Sequence, residues 1–227
     1  MDRGKSGPDD PSIDALLHSG TQWRMSDTTG PGRGAARGPR VGLLGGSFNP
    51  VHAGHRHISL LALERLQLDQ VWWLISPQNP LKSSAGMAPY AERLTSVRET
   101  AGDPRIQISE AEAELGTQYT VDTLQALRRR HPHHRFVWIM GADNLLQVTQ
   151  WQQWIDIFET VPVAVFDRPT YSFQALAGTA ATRFSRCRLK EHEGGTLADR
   201  DPPAWIFLWG SNDPTSATAL RENAAQS

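Results

Sequence analysis

The stretch Gly45–His55 constrains the fold of this chain more than any other, and it reads Gly-Gly-Ser-Phe-Asn-Pro-Val-His-Ala-Gly-His. It follows a short apolar run, Val41–Leu44, that predicts a buried strand. The residues after it predict a helix, because apolar side chains recur there at helical spacing, at Ile58, Leu61, Ala62 and Leu66. A strand, a glycine turn and a helix N-terminus in succession bring unpaired backbone N–H groups and the positive end of a helix dipole together. The stretch therefore predicts a site for a phosphate or another anion.

Two glycines and two histidines in this stretch fit such a site. Gly45 and Gly46 would let a ligand approach the backbone closely. His52 and His55 are three residues apart, so they share a face if both lie in the first helical turn. Each feature taken alone has a structural alternative, since a Gly-Gly pair commonly forms only a turn and paired histidines commonly lie on a helix surface. Together they predict that two imidazoles and several amides converge on one anion.

From Arg40 onward the predicted strands and helices alternate. Strands are predicted at residues 41–44, 71–75, 105–108, 135–140, 161–166 and 205–209. Helices are predicted at residues 56–66, 88–101, 120–130, 143–158 with a break, 172–181 and 216–225. This alternation predicts an α/β fold with a doubly wound, mainly parallel sheet that binds ligands at the carboxyl ends of its strands. Pro162 lies inside a predicted strand, which indicates an edge strand or the start of a strand.

The first part of the chain differs in composition from the rest. Residues 1–39 are rich in Gly, Pro, Ser, Asp and Arg, and such a segment buries too little apolar surface to offset its ordering entropy. We predict a disordered or loosely ordered N-terminal arm over 1–39 and a single domain over 40–227. Met25 is a candidate for the true start of the protein.

Composition and charge exclude several classes of protein. The formal net charge of −1 does not favour a nucleic-acid or membrane-surface partner. Cys187 is the only cysteine, so no intrachain disulfide can form, and we expect it to be inert or at the surface. No apolar run approaches the ~20 residues that span a bilayer, and no secretory signal is present, so we expect a cytoplasmic protein. The basic run Arg128–Arg135 is interpreted as a helix C-terminus, and the acidic run Glu110–Glu114 as a solvated face.

Polar motifs directly follow three of the predicted strands. In chain order they supply Asn79, Lys82, Gly141, Asp143, Ser216, Thr218 and Arg221. Because the carboxyl ends of parallel strands meet at one edge, we expect these residues to join the histidines. Asp143 is suited to ribose hydroxyls, and Lys82 supplies an ammonium group. As an alternative, Ser216 would serve only as a helix N-cap, and Arg221 would be an ordinary surface charge.

The glycine turn and the last of these polar motifs resemble motifs of a known superfamily. The turn that ends in His52-Ala-Gly-His55 resembles the signature of the nucleotidylyltransferases, a glycine-rich turn ending in His-x-Gly-His or Thr-x-Gly-His. The segment Ser216–Arg221 resembles their Ser-x-Thr-x-x-Arg element, which binds the phosphates of ATP, although Ala217 replaces the second serine of many members.

Within the superfamily the chain resembles the bacterial nicotinate-nucleotide adenylyltransferases from about Arg40 to Arg221. The supporting strings are Asn79–Lys82, Tyr119–Leu124 and Gly141–Leu145, followed by Trp151 and Trp154. In the first string, Leu81 replaces the histidine of many members.

The resemblance implies a Rossmann-like nucleotidylyltransferase fold and one reaction. The family transfers the adenylyl group of ATP to nicotinate mononucleotide, which gives deamido-NAD and pyrophosphate in NAD biosynthesis. It uses Mg²⁺, held mainly by the ATP phosphates, and a homo-oligomer is possible. The alternatives are another acceptor, such as nicotinamide mononucleotide or phosphopantetheine, and a non-catalytic nucleotide sensor. His52 argues against phosphopantetheine, whose enzymes usually have threonine there, and a sensor need not keep both histidines with Arg221.

The resemblance also implies a role for each matching residue. His52 and His55 would be catalytic and act on the α- and β-phosphate oxygens. ATP would be bound by Gly45, Gly46, Ser47, Phe48, Gly141, Asp143, Ser216, Thr218 and Arg221. Nicotinate mononucleotide would be bound by Asn79, Lys82, Tyr119, Thr120 and Trp151. An indole face suits the cationic pyridinium ring; the alternative for Trp151 is a place in the core, where we also expect Trp154.

Overall fold

The computed structural model describes residues 37–77, 86–168 and 170–211. These residues form a seven-stranded sheet in the order β3-β2-β1-β4-β5-β7-β6, in which every pair of neighbours is parallel. The strands are β1 (Arg40–Gly46), β2 (Gln70–Ile75), β3 (Ile106–Ser109), β4 (Arg135–Gly141), β5 (Val163–Phe166), β6 (Arg188–Leu189) and β7 (Trp205–Leu208). The predicted parallel α/β sheet is confirmed. Residues 1–36 of the predicted N-terminal arm, the Met25 start and the last predicted helix lie outside the described residues.

Helices cover both faces of this sheet. The α-helices are α1 (Ala53–Arg65), α2 (Tyr90–Ala101), α3 (Ala111–Leu115), α4 (Thr120–Arg130), α5 (Ala142–Gln147), α6 (Trp154–Thr160), α7 (Ser172–Ala177) and α8 (Thr179–Arg183). Short 3₁₀ segments span Val148–Gln150, Ser185–Cys187 and Glu191–Asp199. One hydrophobic cluster packs α1, α2 and the last of these segments on the sheet, and a second packs α3 to α8 on the opposite face. In the described part of the chain, no helix has the length and apolarity to cross a membrane.

Two adjacent tryptophans in β2 show how the strands serve both faces. Successive side chains of a strand point to opposite sides, so Trp73 lies fully buried in the α1 cluster and Trp72 packs against the other cluster. The indole N–H of Trp73 donates to Oγ of Ser59 at 2.7 Å, which satisfies its buried polar atom.

The strand order reverses between β1 and β4, and this reversal positions the site. The chain leaves β1 toward β2 on one side and β4 toward β5 on the other. The connections therefore diverge and open a crevice beyond the ends of these two strands, which is where doubly wound sheets bind ligands. Gly46 ends β1 and Gly141 ends β4, so the glycine turn and the Gly141 motif flank one crevice.

The break predicted within the helix over 143–158 is confirmed. The chain forms two helices there, α5 and α6, and it turns between them with a positive φ of 46° at Gln153. Other elements differ from the sequence prediction. The helix predicted over 172–181 is likewise divided, into α7 and α8 at Gly178. β5 is internal and Pro162 lies just before it, so the strand-start interpretation of this proline is correct and the edge interpretation is wrong. The two-residue β6 was not predicted.

The two charged runs behave differently in the structure. Arg128 to Arg130 occupy the last turn of α4, which confirms the helix C-terminus interpretation of the basic run. The interpretation of the acidic run as a solvated face is wrong for Glu112. This residue lies in α3 and is only 8% exposed. Charge alone did not reveal that this short helix turns one carboxyl toward the sheet.

Candidate active site

The two histidines meet through a reciprocal cap at the start of α1. His52 is the N-cap residue, with extended backbone angles, and His55 is the third helical residue. The backbone N–H of His52 donates to Nδ1 of His55 at 3.3 Å, and the N–H of His55 donates to the carbonyl of His52 at 3.0 Å. The ring centroids lie 3.9 Å apart. The histidines are therefore adjacent as predicted, although His52 precedes the first helical turn instead of lying in it.

This cap determines which nitrogen of His55 carries hydrogen. Because a backbone amide can only donate, Nδ1 of His55 accepts, and the neutral ring keeps its hydrogen on Nε2. The ring centroid also lies 4.7 Å from that of Phe48 and 6.2 Å from that of Trp73. His55 is therefore a hydrogen-bond donor at Nε2 with an orientation set by its neighbours.

Phe48 reverses the chain between β1 and α1. Its φ of 47° lies in the left-handed region that residues other than glycine seldom adopt. Its side chain is 2% exposed, and its ring stacks on Trp73 with centroids 5.3 Å apart. The ring thus anchors the turn from inside, so any ligand at this turn would meet the backbone of Phe48.

Gly45 and Gly46 have different reasons to lack a side chain. A Cβ at Gly45 would overlap Cη2 of Trp138, so this glycine makes room for an indole of the neighbouring strand. A Cβ at Gly46 would meet the Phe48 ring at 3.6 Å, an ordinary contact. Packing against Trp138 therefore requires glycine at the first position and not at the second.

The second group of site residues lies at the end of β4. Nε of Arg168 lies 3.1 Å from Oδ1 of Asp143, and a Cβ at Gly141 would overlap that same carboxylate oxygen. Glycine at 141 therefore lets the Asp143–Arg168 pair fold back over the strand end. Arg168 orients the carboxylate and leaves it partly exposed, with 29% of the side chain accessible.

The sequence prediction missed the residues that follow β5. Asp167 is buried and its carboxylate accepts hydrogen bonds from the N–H groups of Gly210 at 3.1 Å and Ser211 at 3.3 Å. It thereby joins the chain after β7 to the end of β5. Asp167 and Arg168 directly follow a predicted strand. A search for polar residues after every predicted strand, as made for the other strand ends, would therefore have found them.

Ser76 and Glu112 form a further polar contact at the sheet edge, beyond β2. Burial raises the pKa of Glu112 to about 7, although a hydrogen bond with the Ser76 side chain by itself lowers this pKa. The side chain of Glu112 is therefore partly protonated near neutral pH. Neither residue was predicted to be part of the site.

The structure describes only some of the residues expected to bind nicotinate mononucleotide and the ATP phosphates. Tyr119 is the N-cap residue of α4, 39% exposed, and Thr120 begins that helix. Trp151 and Trp154 are partly buried against the core, and Trp154 lies edge-on to Phe158, which confirms its expected place there. Asn79, Lys82, Ser216, Thr218 and Arg221 lie outside the described residues.

Comparison with known proteins identifies the family. A family model described as cytidylyltransferase-like matches residues 43–223. A Bradyrhizobium protein named as a probable nicotinate-nucleotide adenylyltransferase is 56% identical over 182 residues, which are 80% of this chain and 95% of the relative. The chain belongs to this family. A relative of the same name from Parvibaculum lavamentivorans is 52% identical over 190 residues, covering 84% of this chain and 94% of the relative.

Solved structures agree on the fold of this nicotinate-nucleotide adenylyltransferase family member. The Plasmodium falciparum nicotinic acid mononucleotide adenylyltransferase complexed with NaAD matches with a TM-score of 0.62 at 14% identity, over 82% of this chain and 83% of that chain. The same Plasmodium enzyme complexed with APC gives a TM-score of 0.60 at 13% identity, over the same shares of the two chains. The predicted Rossmann-like nucleotidylyltransferase fold is confirmed.

Proposed function

We propose that this enzyme transfers the adenylyl group of ATP to nicotinate mononucleotide and releases deamido-NAD and pyrophosphate. The supporting observation is the 56% identity to a relative of that name along 95% of its length. The capped histidine pair beside the β1–β4 crevice supplies the chemistry that such a transfer needs.

The proposed reaction is a direct displacement without a covalent enzyme intermediate. A phosphate oxygen of nicotinate mononucleotide attacks the α-phosphorus of ATP in line, and the bond from that phosphorus to the bridging oxygen breaks. Pyrophosphate leaves with the electron pair of the broken bond. Positioning and stabilisation of negative charge supply most of the acceleration in such reactions.

Of the two histidines, His55 has the geometry that is better suited to stabilise negative charge on the phosphate oxygens. Its Nε2–H would donate to a phosphate oxygen, because Nδ1 is engaged by the backbone of His52. The first turn of α1, a helix of 13 residues, adds backbone N–H groups and the positive end of its dipole. We assign His52, whose ring lies against that of His55, to the same phosphate oxygens.

We assign the remaining predicted residues to the two substrates. Asp143, held by Arg168, would accept hydrogen bonds from the ribose hydroxyls of ATP. The β- and γ-phosphates would be bound by Ser216, Thr218 and Arg221. Nicotinate mononucleotide would be bound by Asn79, Lys82, Tyr119, Thr120 and Trp151.

Magnesium is proposed to arrive bound to ATP. Among residues 37–77, 86–168 and 170–211, no group of three His, Cys, Asp or Glu side chains is placed to hold a metal ion. The described site instead presents imidazoles and amides, which bind phosphate oxygens. Oxygen atoms of phosphate and water are ligands that Mg²⁺ prefers, and the ion would neutralise phosphate charge there.

Pyrophosphate release with different acceptors tests this proposal. The purified chain is incubated with ATP and Mg²⁺ and with nicotinate mononucleotide, nicotinamide mononucleotide, phosphopantetheine or no acceptor. We expect pyrophosphate and deamido-NAD in the first mixture at a rate well above the others. Faster release with another acceptor would change the assigned substrate, and ATP binding without release in any mixture would indicate a sensor.

A further inference from the structure

Arg93, in the first turn of α2, has a buried guanidinium that contacts backbone carbonyls from three parts of the chain. The residue is 3% exposed, and burial lowers its pKa. Nη1 donates to the carbonyl of Ser47 at 2.6 Å and to that of Ser76 at 2.9 Å. Nη2 donates to the carbonyl of Pro77 at 2.8 Å, and Nε donates to that of Ala88 at 3.1 Å.

These four carbonyls connect the turn of residues 47–52 between β1 and α1, which we call the phosphate turn, with the connection that follows β2. Ser47 belongs to the turn between β1 and α1. Ser76 and Pro77 come directly after β2, and Ala88 lies just before α2, so one guanidinium binds both ends of the β2–α2 connection. The sequence between those ends contains Asn79 and Lys82, which we assign to the second nucleotide.

Asn49 forms a second link between the same two parts of the chain. Its Nδ2 donates to the carbonyl of Gly86 at 3.1 Å, and its Oδ1 accepts from the N–H of Ala88 at 3.1 Å. The phosphate turn is therefore joined to the β2–α2 connection through two separate side chains.

The chemistry of these contacts suits arginine and no other residue. A guanidinium presents its N–H groups in a rigid plane, whereas the ammonium of lysine is a single point with three donors. Within the described chain, Arg93 forms no ion pair with a carboxylate. A buried cation without a counter-ion is a costly way to stabilise a fold, so a role in function would explain why arginine is placed here.

We propose that Arg93 is a positioning residue, which sets the distance between the phosphate turn and the end of β2 and so aligns the α-phosphate of ATP with the attacking phosphate oxygen. This inference rests on the proposed function. In-line transfer is sensitive to such alignment, and a displacement of about 1 Å can lower a rate about 10²-fold. Misalignment of two bound substrates lowers kcat and leaves each KM nearly unchanged.

The test compares Arg93→Lys with Val97→Ala, a control one turn further along α2. Val97 is fully buried in the core and its side chain has no polar atom, so its truncation destabilises the fold without removing a hydrogen bond to either loop. Steady-state kinetics in ATP and in nicotinate mononucleotide are measured where thermal unfolding shows both variants folded. We expect Arg93→Lys to lower kcat about 10- to 100-fold with both KM values within about threefold of wild type. Val97→Ala should lower Tm and leave kcat unchanged.

Three results would overturn the positioning role. They are a kcat of Arg93→Lys within about threefold of wild type, an equal loss of kcat in Val97→Ala, and a change confined to the KM of one substrate. If Arg93→Lys does not fold, Asn49→Ala takes its place, and an unchanged kcat in that variant would equally refute the proposal. A wild-type chain without turnover refutes the proposed function and this inference together, whereas normal turnover in Arg93→Lys refutes the inference alone.

Discussion

Replacing Glu112 by glutamine should change how the stability of this protein depends on pH. The residue is 8% exposed, and burial raises its pKa from 4.5 to about 7 despite a hydrogen bond with Ser76. In the unfolded chain the carboxyl returns to its ordinary pKa. The folded state therefore binds the proton more tightly than the unfolded state does, and this difference couples folding to pH.

The size of the effect follows from the difference between the two pKa values. A shift of about 2.5 pKa units at about 1.36 kcal/mol per unit corresponds to about 3 kcal/mol. Because the folded-state pKa is the higher one, the contribution of Glu112 to stability is fully present below pH 4.5 and is lost as pH rises through 7. The loss should reach about 2 kcal/mol at pH 6 and about 3 kcal/mol at pH 8.

Urea unfolding between pH 5 and pH 9 measures this loss. The matched control is Glu114→Gln, two residues further along α3, where the side chain is 48% exposed and lies 3.4 Å from Arg130. We expect the free energy of unfolding of Glu112→Gln to exceed that of wild type increasingly as pH rises, while Glu114→Gln follows wild type. Parallel curves for wild type and Glu112→Gln would refute the assignment of a buried, high-pKa carboxyl.

Three further substitutions test the site. His55→Ala should lower kcat about 10²-fold in steady-state assays if its Nε2–H stabilises developing charge, and unchanged turnover in a folded variant would remove that role. Gly45→Ala should lower the free energy of unfolding by about 1–3 kcal/mol, because its Cβ overlaps Trp138. Gly46→Ala is the matched control with an ordinary contact, and equal losses would contradict this account. Trp151→Ala should raise the KM for nicotinate mononucleotide more than the KM for ATP, and equal changes would instead indicate a role in the core.

The sequence predicted the sheet well because its strands are short runs of apolar residues between glycines and polar turns. β2 and β4 were predicted within a residue at each end, and α4 was predicted at the residues observed, Thr120–Arg130. The edge of the sheet at which His52, His55 and Asp143 lie could also be predicted, since alternating strands and helices allow few topologies. His52 and His55 were expected together from spacing alone, and their rings are adjacent.

Burial of polar side chains could not be predicted in the same way. Arg93 contacts a carbonyl that is 46 residues earlier in the chain, and Glu112 hydrogen-bonds to Ser76. Periodicity describes one element at a time, whereas these contacts depend on how separate elements pack. Arg168 is different, because its position directly after a predicted strand was available in the sequence.

The position of the phosphate turn is determined from three directions by contacts within the protein. Trp138 packs where a side chain at Gly45 would lie, and Phe48 is stacked on Trp73 from the opposite face of the sheet. Arg93 binds the carbonyl of Ser47. All of these contacts are formed between residues of the protein, so the turn and the adjoining histidine cap are held by protein packing. Donors that are already oriented lose little free energy to reorganisation during the reaction, so the packing beneath this turn should contribute to catalysis as well as to stability.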